Sequence, residues 1–322
     1  MKRLIGRAFA AACVTVACSS VNAQTYPDRP VRIVVPSAPG GSTDQLARIM
    51  GQKLSEKWGQ SVVIENKPGA GLTLGADYVA KQPADGYTIL MGALHHSIAP
   101  AVYKKLPYDF QRDLTPITVI AVVPNVLIVP EQSPAKSVEE LIALAKSKPG
   151  SLTYGSTGAG TAHHLIGEQF NDMAGVQTLH VPYKGSGPAL IDLMGGRVDI
   201  MFDTVASCLP HIKSGKVRAL AVATPNRSSA LPDVRTLDQA GLTGFDIASW
   251  FGFLAPTGTP PAIIDKIYQD SAEILKSDAI RGQLLAMGAE PVGNTPAEMT
   301  AQIADEMVRF KALAQKANLS MD

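Results

Sequence analysis

Three cysteines in 322 residues are too few for a disulfide framework, and two of them, Cys13 and Cys18, fall near the start of the chain. Cys208 alone stands in the body of the sequence, so stability has to come from buried cores rather than internal bridges. It is expected to be a small buried apolar residue. Aromatic residues make up only 6% of the chain and the formal net charge is +1. That excludes a nucleic-acid binder, which needs a basic face and stacking rings. No apolar run reaches the roughly 20 residues of a membrane-spanning helix.

The motifs of several enzyme classes are missing as well. There is no phosphate loop ending in Gly-Lys-Ser/Thr, and neither Gly69-Ala70-Gly71-Leu72-Thr73-Leu74 nor Gly158-Ala159-Gly160-Thr161-Ala162-His163 completes a dinucleotide pattern. No Gly-x-Ser-x-Gly elbow supplies a nucleophile. Ser133-Pro134-Ala135-Lys136 with Lys213-Ser214-Gly215 echoes the serine penicillin-recognising enzymes, but the element between them is absent and Ser133 sits among prolines. His164 and Glu168 share a helix face beside His163, yet no third ligand at recognisable spacing makes a zinc site. The sequence therefore predicts no catalysis, no metal and no cofactor.

What is present begins with an export pattern. Lys2, Arg3 and Arg7 precede the apolar run Ala8 to Ala17, and Val21-Asn22-Ala23 offers small residues before Gln24, so residues 1–23 are expected to be a signal peptide. Val16-Ala17-Cys18 also resembles a lipid-acceptor site, although Thr15 stands where leucine is usual. The remaining 300 or so residues suit two domains of ordinary size, and a hydrophobic content of 46% supplies their cores.

Short β-branched runs alternate with amphipathic stretches, the pattern of a parallel sheet flanked by helices. Strands are predicted at Val31 to Val35, Val62 to Ile64, Thr88 to Met91, Leu152 to Tyr154, Leu179 to Val181 and Asp199 to Phe202. Helices are predicted at Thr43 to Trp58, Thr161 to Ala174, Pro188 to Met194, Pro261 to Lys276 and Pro296 to Ala317. Pro116 to Pro134 reads as a strand crossing between two lobes, with a return near Thr224-Pro225-Asn226. The expected division is residues 24–123 plus 225–322 for lobe 1 and 124–224 for lobe 2.

Ligands of open α/β sheets bind beyond the carboxyl ends of the strands, so the loops there carry the chemistry. The first, Ala38-Pro39-Gly40-Gly41-Ser42-Thr43-Asp44, opens directly into a helix. Its counterpart Ser156-Thr157-Gly158-Ala159-Gly160-Thr161 does the same in the second half, and Tyr183-Lys184 and Asp203-Thr204 follow later strands. Glycine permits close approach of backbone to ligand, and a helix N-terminus offers unpaired N–H groups at the positive end of its dipole. The two loop-to-helix joints are expected to face each other and hold an anion without a cationic side chain. Ser42, Thr43 and Asp44 could instead merely cap their helix. Lys184 could be a charge partner, and Asp203 is expected to orient a neighbouring hydroxyl or amide, or to meet a ligand amine or hydroxyl. His95 and His96, after the third strand, are expected to donate a hydrogen bond to the ligand or to pack in the loop.

Many blocks in order resemble one family. They include Tyr26-Pro27-Asp28-Arg29-Pro30, Ala38-Pro39-Gly40-Gly41 with Asp44, Glu65-Asn66-Lys67-Pro68-Gly69, Asp85-Gly86-Tyr87-Thr88, Lys105-Leu106-Pro107-Tyr108-Asp109, His180-Val181-Pro182-Tyr183-Lys184-Gly185, Gly195-Gly196-Arg197-Val198-Asp199 and Ala255-Pro256-Thr257-Gly258. The chain resembles the Bug (TctC-like) family, extracytoplasmic binding proteins of tripartite tricarboxylate transporters. The resemblance implies a two-lobed α/β periplasmic-binding-protein fold of the second type and a monomer in the periplasm. It also implies a small carboxylated ligand and a two-component membrane carrier as partner. It implies that Ala38 through Asp44 hold a carboxylate, partly through bridging waters, with Ser156, Thr157, Asp203 and Thr204 on the opposite lobe. Family members take dicarboxylates, tricarboxylates, amino acids or aromatic acids. A receptor feeding a membrane sensor kinase is the alternative role.

Overall fold

The computed structural model describes residues 26–316, 319 and 320, so the expected signal peptide, Cys13 and Cys18 lie outside the described residues. Ten strands are described: β1 (Val31–Val35), β2 (Val62–Asn66), β3 (Thr88–Ala93), β4 (Leu114–Pro130), β5 (Thr153–Ser156), β6 (Leu179–Pro182), β7 (Ile200–Thr204), β8 (Val217–Val222), β9 (Ala248–Pro256) and β10 (Glu290–Pro291). They lie in the order β2-β1-β3-β9-β4-β7-β5-β6, with β8 and β10 also paired to β4.

The sheet is mixed rather than parallel throughout. β2-β1-β3 and β6-β5-β7 are parallel, as the alternating pattern requires, but β9 runs antiparallel to both β3 and β4. β4 belongs to both halves. From Leu114 to Pro124 it pairs with β9, and from Asn125 onwards it pairs with β7 and β8. Pro124 does not break this strand: its missing N–H falls at the last pair with β9, opposite Ala248, just before the partner changes.

Side chains alternate across the strands, and both faces are covered by helices. Ile33, Val35, Ile89, Met91 and Phe253 pack against helices Ser42–Trp58, Ser186–Met194, Val205–Lys213 and Pro261–Lys276. Val34, Leu90, Phe202 and Leu254 pack on the other face against helices Thr73–Ala80, His95–Val102, Ala162–Ala174 and Pro296–Lys316. Cys208 is fully buried on the first of these faces, and burial pushes its thiol well above its ordinary value. The predicted helices recur within a residue or two at each end. Helix His95–Val102 was expected as loop; its register follows from Leu94, Ile98 and Val102, which are buried together.

Candidate functional site

Five helices begin at one cavity. Helix Ser42–Trp58 brings Gly41, Ser42 and Thr43, helix His95–Val102 brings Leu94 and His95, and helix Ala162–Ala174 brings Thr161, Ala162 and His163. Gly185 and Ser186 open helix Ser186–Met194, and Thr204 precedes helix Val205–Lys213. None of the five has a side chain capping its first turn. Elsewhere capping is used: Ser137 accepts from Glu140 N–H at the head of helix Val138–Ser147. The helix starts at the cavity thus keep N–H groups available for an anion. Ser42 and Thr43 are first-turn residues of their helix and do not cap it.

No lysine, arginine, aspartate or glutamate lines the cavity. Its two histidines are neutral. Burial lowers the His95 imidazole well below its ordinary value, with His96 and His163 nearby adding to the effect. Burial likewise lowers His163, against the opposing influence of Asp203. Leu72, Leu94 and Phe251 supply an apolar stretch of wall. The space is narrow, about 30 Å³, which corresponds to about two waters.

Residues from the two halves meet along a seam beside this cavity. Ala38 N–H donates to Lys184 O at 2.8 Å, and the Ser42 and Thr204 hydroxyls share a hydrogen bond of 2.6 Å. Tyr103 Oη donates to Ala159 O at 2.8 Å. Glycines allow the approach: a Cβ on Gly41 would lie 3.2 Å from Ser186 Oγ, and one on Gly187 would lie 2.3 Å from Pro39 O. Loop Gly158–Gly160 abuts Gly71 and Tyr103. The two loop-to-helix joints therefore share the cavity, but each closes on another partner. Gly41 meets the Ser186 helix, and Gly158 meets Gly71.

Of the expected site residues, Gly41, Ser42, Thr43, His95, Thr157, Thr161 and Thr204 line the cavity. The others do not, for identifiable reasons. Ala38, Pro39 and Gly40 form the seam, while Ser37 lines the cavity in their place. Asp44 turns away: burial alone would raise its carboxyl, but hydrogen bonds from Arg48, Asn66 and Gly40 N–H hold it below the usual range. His96 Nδ1 lies 3.1 Å from both the N–H and the carbonyl oxygen of Ala93, and its ring stacks on Phe110. The Ser156 hydroxyl pairs with His180 and accepts from Gly158 N–H, holding the second loop from behind. Tyr183 donates to Asp192, and Lys184 contributes its carbonyl to the seam rather than its charge. Asp203 is fully buried and accepts from Ser186 Oγ and Thr204 N–H, both at 2.8 Å, so it orients two residues of the wall.

The remaining lining residues, Ser37, Leu72, Ala93, Leu94, Ala162, His163, Gly185, Ser186, Ser249 and Phe251, were not among the expected site residues. Ser186 had a usable signal, because it follows Gly185 directly at a helix start. Ser249 and Phe251 had none, since they lie on β9, whose partners are remote in sequence.

A family model described as "Tripartite tricarboxylate transporter family receptor" matches residues 46–319. BugT of Bordetella pertussis is 38% identical over 298 residues, covering 92% of this chain and 91% of that protein. A solved structure titled "R. palustris Rpa4515 with adipate" is 41% identical with a TM-score of 0.89, covering 92% of this chain and 99% of that one. A second, MatC from Rhodopseudomonas palustris with bound malate, is 34% identical with a TM-score of 0.86, covering 89% of this chain and 99% of that one. The chain therefore belongs to the tripartite tricarboxylate transporter receptor family, as a Bug-type solute-binding protein and not an enzyme.

Proposed function

We propose that this protein is exported to the periplasm, captures a small organic carboxylate between two lobes and hands it to a two-component membrane carrier. The observation that carries the reading is the cavity's means of holding charge. Five uncapped helix starts converge on it with no cationic side chain among the lining residues. The adipate and malate in two similar proteins support the same ligand class.

The proposed lobes part where β4 changes partners, at Pro124 and Asn125, and again at Ile247 and Ala248. We put the return at this second point rather than near residue 224, a reading supported by the bonds from Leu237 N–H to Val222 O and from Ile247 N–H to Ala223 O. Those bonds keep the intervening segment with the second half until β9 begins. The narrow cavity then corresponds to closed jaws, which part to admit a ligand.

Thermal-shift measurements with mono-, di- and tricarboxylates, amino acids, aromatic acids, neutral sugars and cationic amines test the ligand class. A carboxylate at 100 times its Kd adds about 2.7 kcal/mol, or roughly 4 °C for a protein of this size. If only a neutral or cationic compound raises the melting temperature, the reading is wrong.

A further inference from the structure

The protons of the cavity wall around Asn125 are already committed. Asn125, fully buried where β4 changes partners, donates through Nδ2 to Ile247 O at 2.7 Å. That bond fixes the amide, so Oδ1 faces the Ser249 hydroxyl at 3.2 Å and His163 Nε2 at 3.1 Å as an acceptor for both. His163 consequently carries its proton on Nε2, and its Nδ1 accepts from the Thr157 hydroxyl at 2.8 Å. Thr161 spends its hydroxyl proton on Gly158 O at 2.7 Å.

Ser249, Thr157 and Thr161 all line the cavity. Each has one hydroxyl proton, and each proton is used inside the protein. What they present to a ligand is oxygen lone pairs. The donors of the cavity lie elsewhere, in the helix starts and in Ser37, whose Oγ is buried without a partner, as is His95 Nε2.

Resting on the carboxylate reading above, we propose that the ligand also carries a hydrogen-bond donor, a hydroxyl or an ammonium, which meets this acceptor wall, and that Asn125 is the positioning residue that sets the wall's polarity. A plain carboxylate brings only methylene groups or further lone pairs to these oxygens and leaves them unpaired once the jaws close. A site built around such a group discriminates strongly against analogues that lack it.

The test uses calorimetric Kd values for three matched trios: propionate, lactate and alanine; butyrate, 4-hydroxybutyrate and 4-aminobutyrate; succinate, malate and aspartate. In at least one trio the hydroxyl or amino member is expected to bind at least about tenfold tighter than the plain acid, and which of the two wins identifies the donor. Ser249→Ala removes one acceptor while leaving the Asn125–Ile247 bond, and Asn125→Leu releases Ser249 and His163 together. Both variants are expected to shrink the preference to about threefold or less. Nitrogen-15 spectra of labelled histidine are expected to give the Nε2–H form of His163 in the wild type and a mixture in Asn125→Leu. The proposal is overturned by plain acids that bind as tightly as their partners, by adipate binding where all three trios fail, by a preference that survives both variants, or by an Nδ1–H form of His163 in the wild type. A protein that binds no carboxylate at all overturns instead the reading beneath it.

Discussion

Gly187→Ala puts one methyl group into the seam between the two halves. Gly187 lies in the first turn of helix Ser186–Met194, and the added Cβ would stand 2.3 Å from Pro39 O. The contact must lengthen by about 1 Å to reach a normal separation, and its partner is backbone, which cannot swing aside. Alanine is a better helix former than glycine, so the helix itself is not weakened. On the two-lobe reading proposed above, the cost falls on closure. Overpacking of this kind costs about 1–3 kcal/mol, or roughly five- to 150-fold in Kd. Titration calorimetry with the strongest ligand from the thermal-shift panel, together with the melting temperature of the ligand-free protein, separates closure from folding. We expect weaker binding with an unchanged ligand-free melting temperature. Wild-type affinity would mean that Pro39 and Gly187 do not meet in the bound state. A fall in ligand-free stability equal to the loss of binding would mean a packing fault unrelated to closure.

Tyr103→Phe removes the hydroxyl that reaches Ala159 O across the same seam; a loss of about 1 kcal/mol, or roughly fivefold in Kd, is expected by calorimetry, with little change in ligand-free melting. His96 makes stability depend on pH. Burial lowers its pKa from 6.5 to about 4, against the opposing hydrogen bond with Ala93. The unfolded chain therefore takes up this proton first as pH falls, so the contribution is intact above pH 6.5 and is lost towards pH 4. Urea unfolding at pH 7 and pH 4.5 is expected to differ by on the order of 2–3 kcal/mol from this group, a difference that His96→Leu reduces.

The parts of the fold legible in the sequence were those with a local cause. Val31–Val35 is a β-branched run ending at a glycine-rich turn, and it forms β1 at the expected residues. Helix Ser42–Trp58 was marked by its apolar stripe, of which Leu46, Met50 and Leu54 are buried while Ile49 and Trp58 are only partly so. β9 was not legible. Its run Trp250-Phe251-Gly252-Phe253-Leu254 is apolar on both faces, and its place between β3 and β4 is set by pairings far away in the chain. The same limit governed the site. Loops that open into helices could be read from glycine and hydroxyl residues, and Gly41, Ser42, Thr157 and Thr161 of those loops line the cavity. Asp44, Lys184 and Tyr183 drew attention through their functional groups, but tertiary partners decide where such groups point. Arg48 and Asn66 take Asp44, and Asp192 takes Tyr183. His163 was considered only in a zinc reading that lacked a third ligand, and its partner, Asn125, comes from a different strand.

The position of β9 also governs the order in which the molecule can assemble. β3 and β4 are made early, yet the strand that joins them follows every other strand but β10. A chain emerging from its N-terminus exposes the edges of both until Ala248–Pro256 arrives. Native contacts of such long sequence separation form slowly. Much of the newly made chain consequently waits for roughly its last quarter before it can lock.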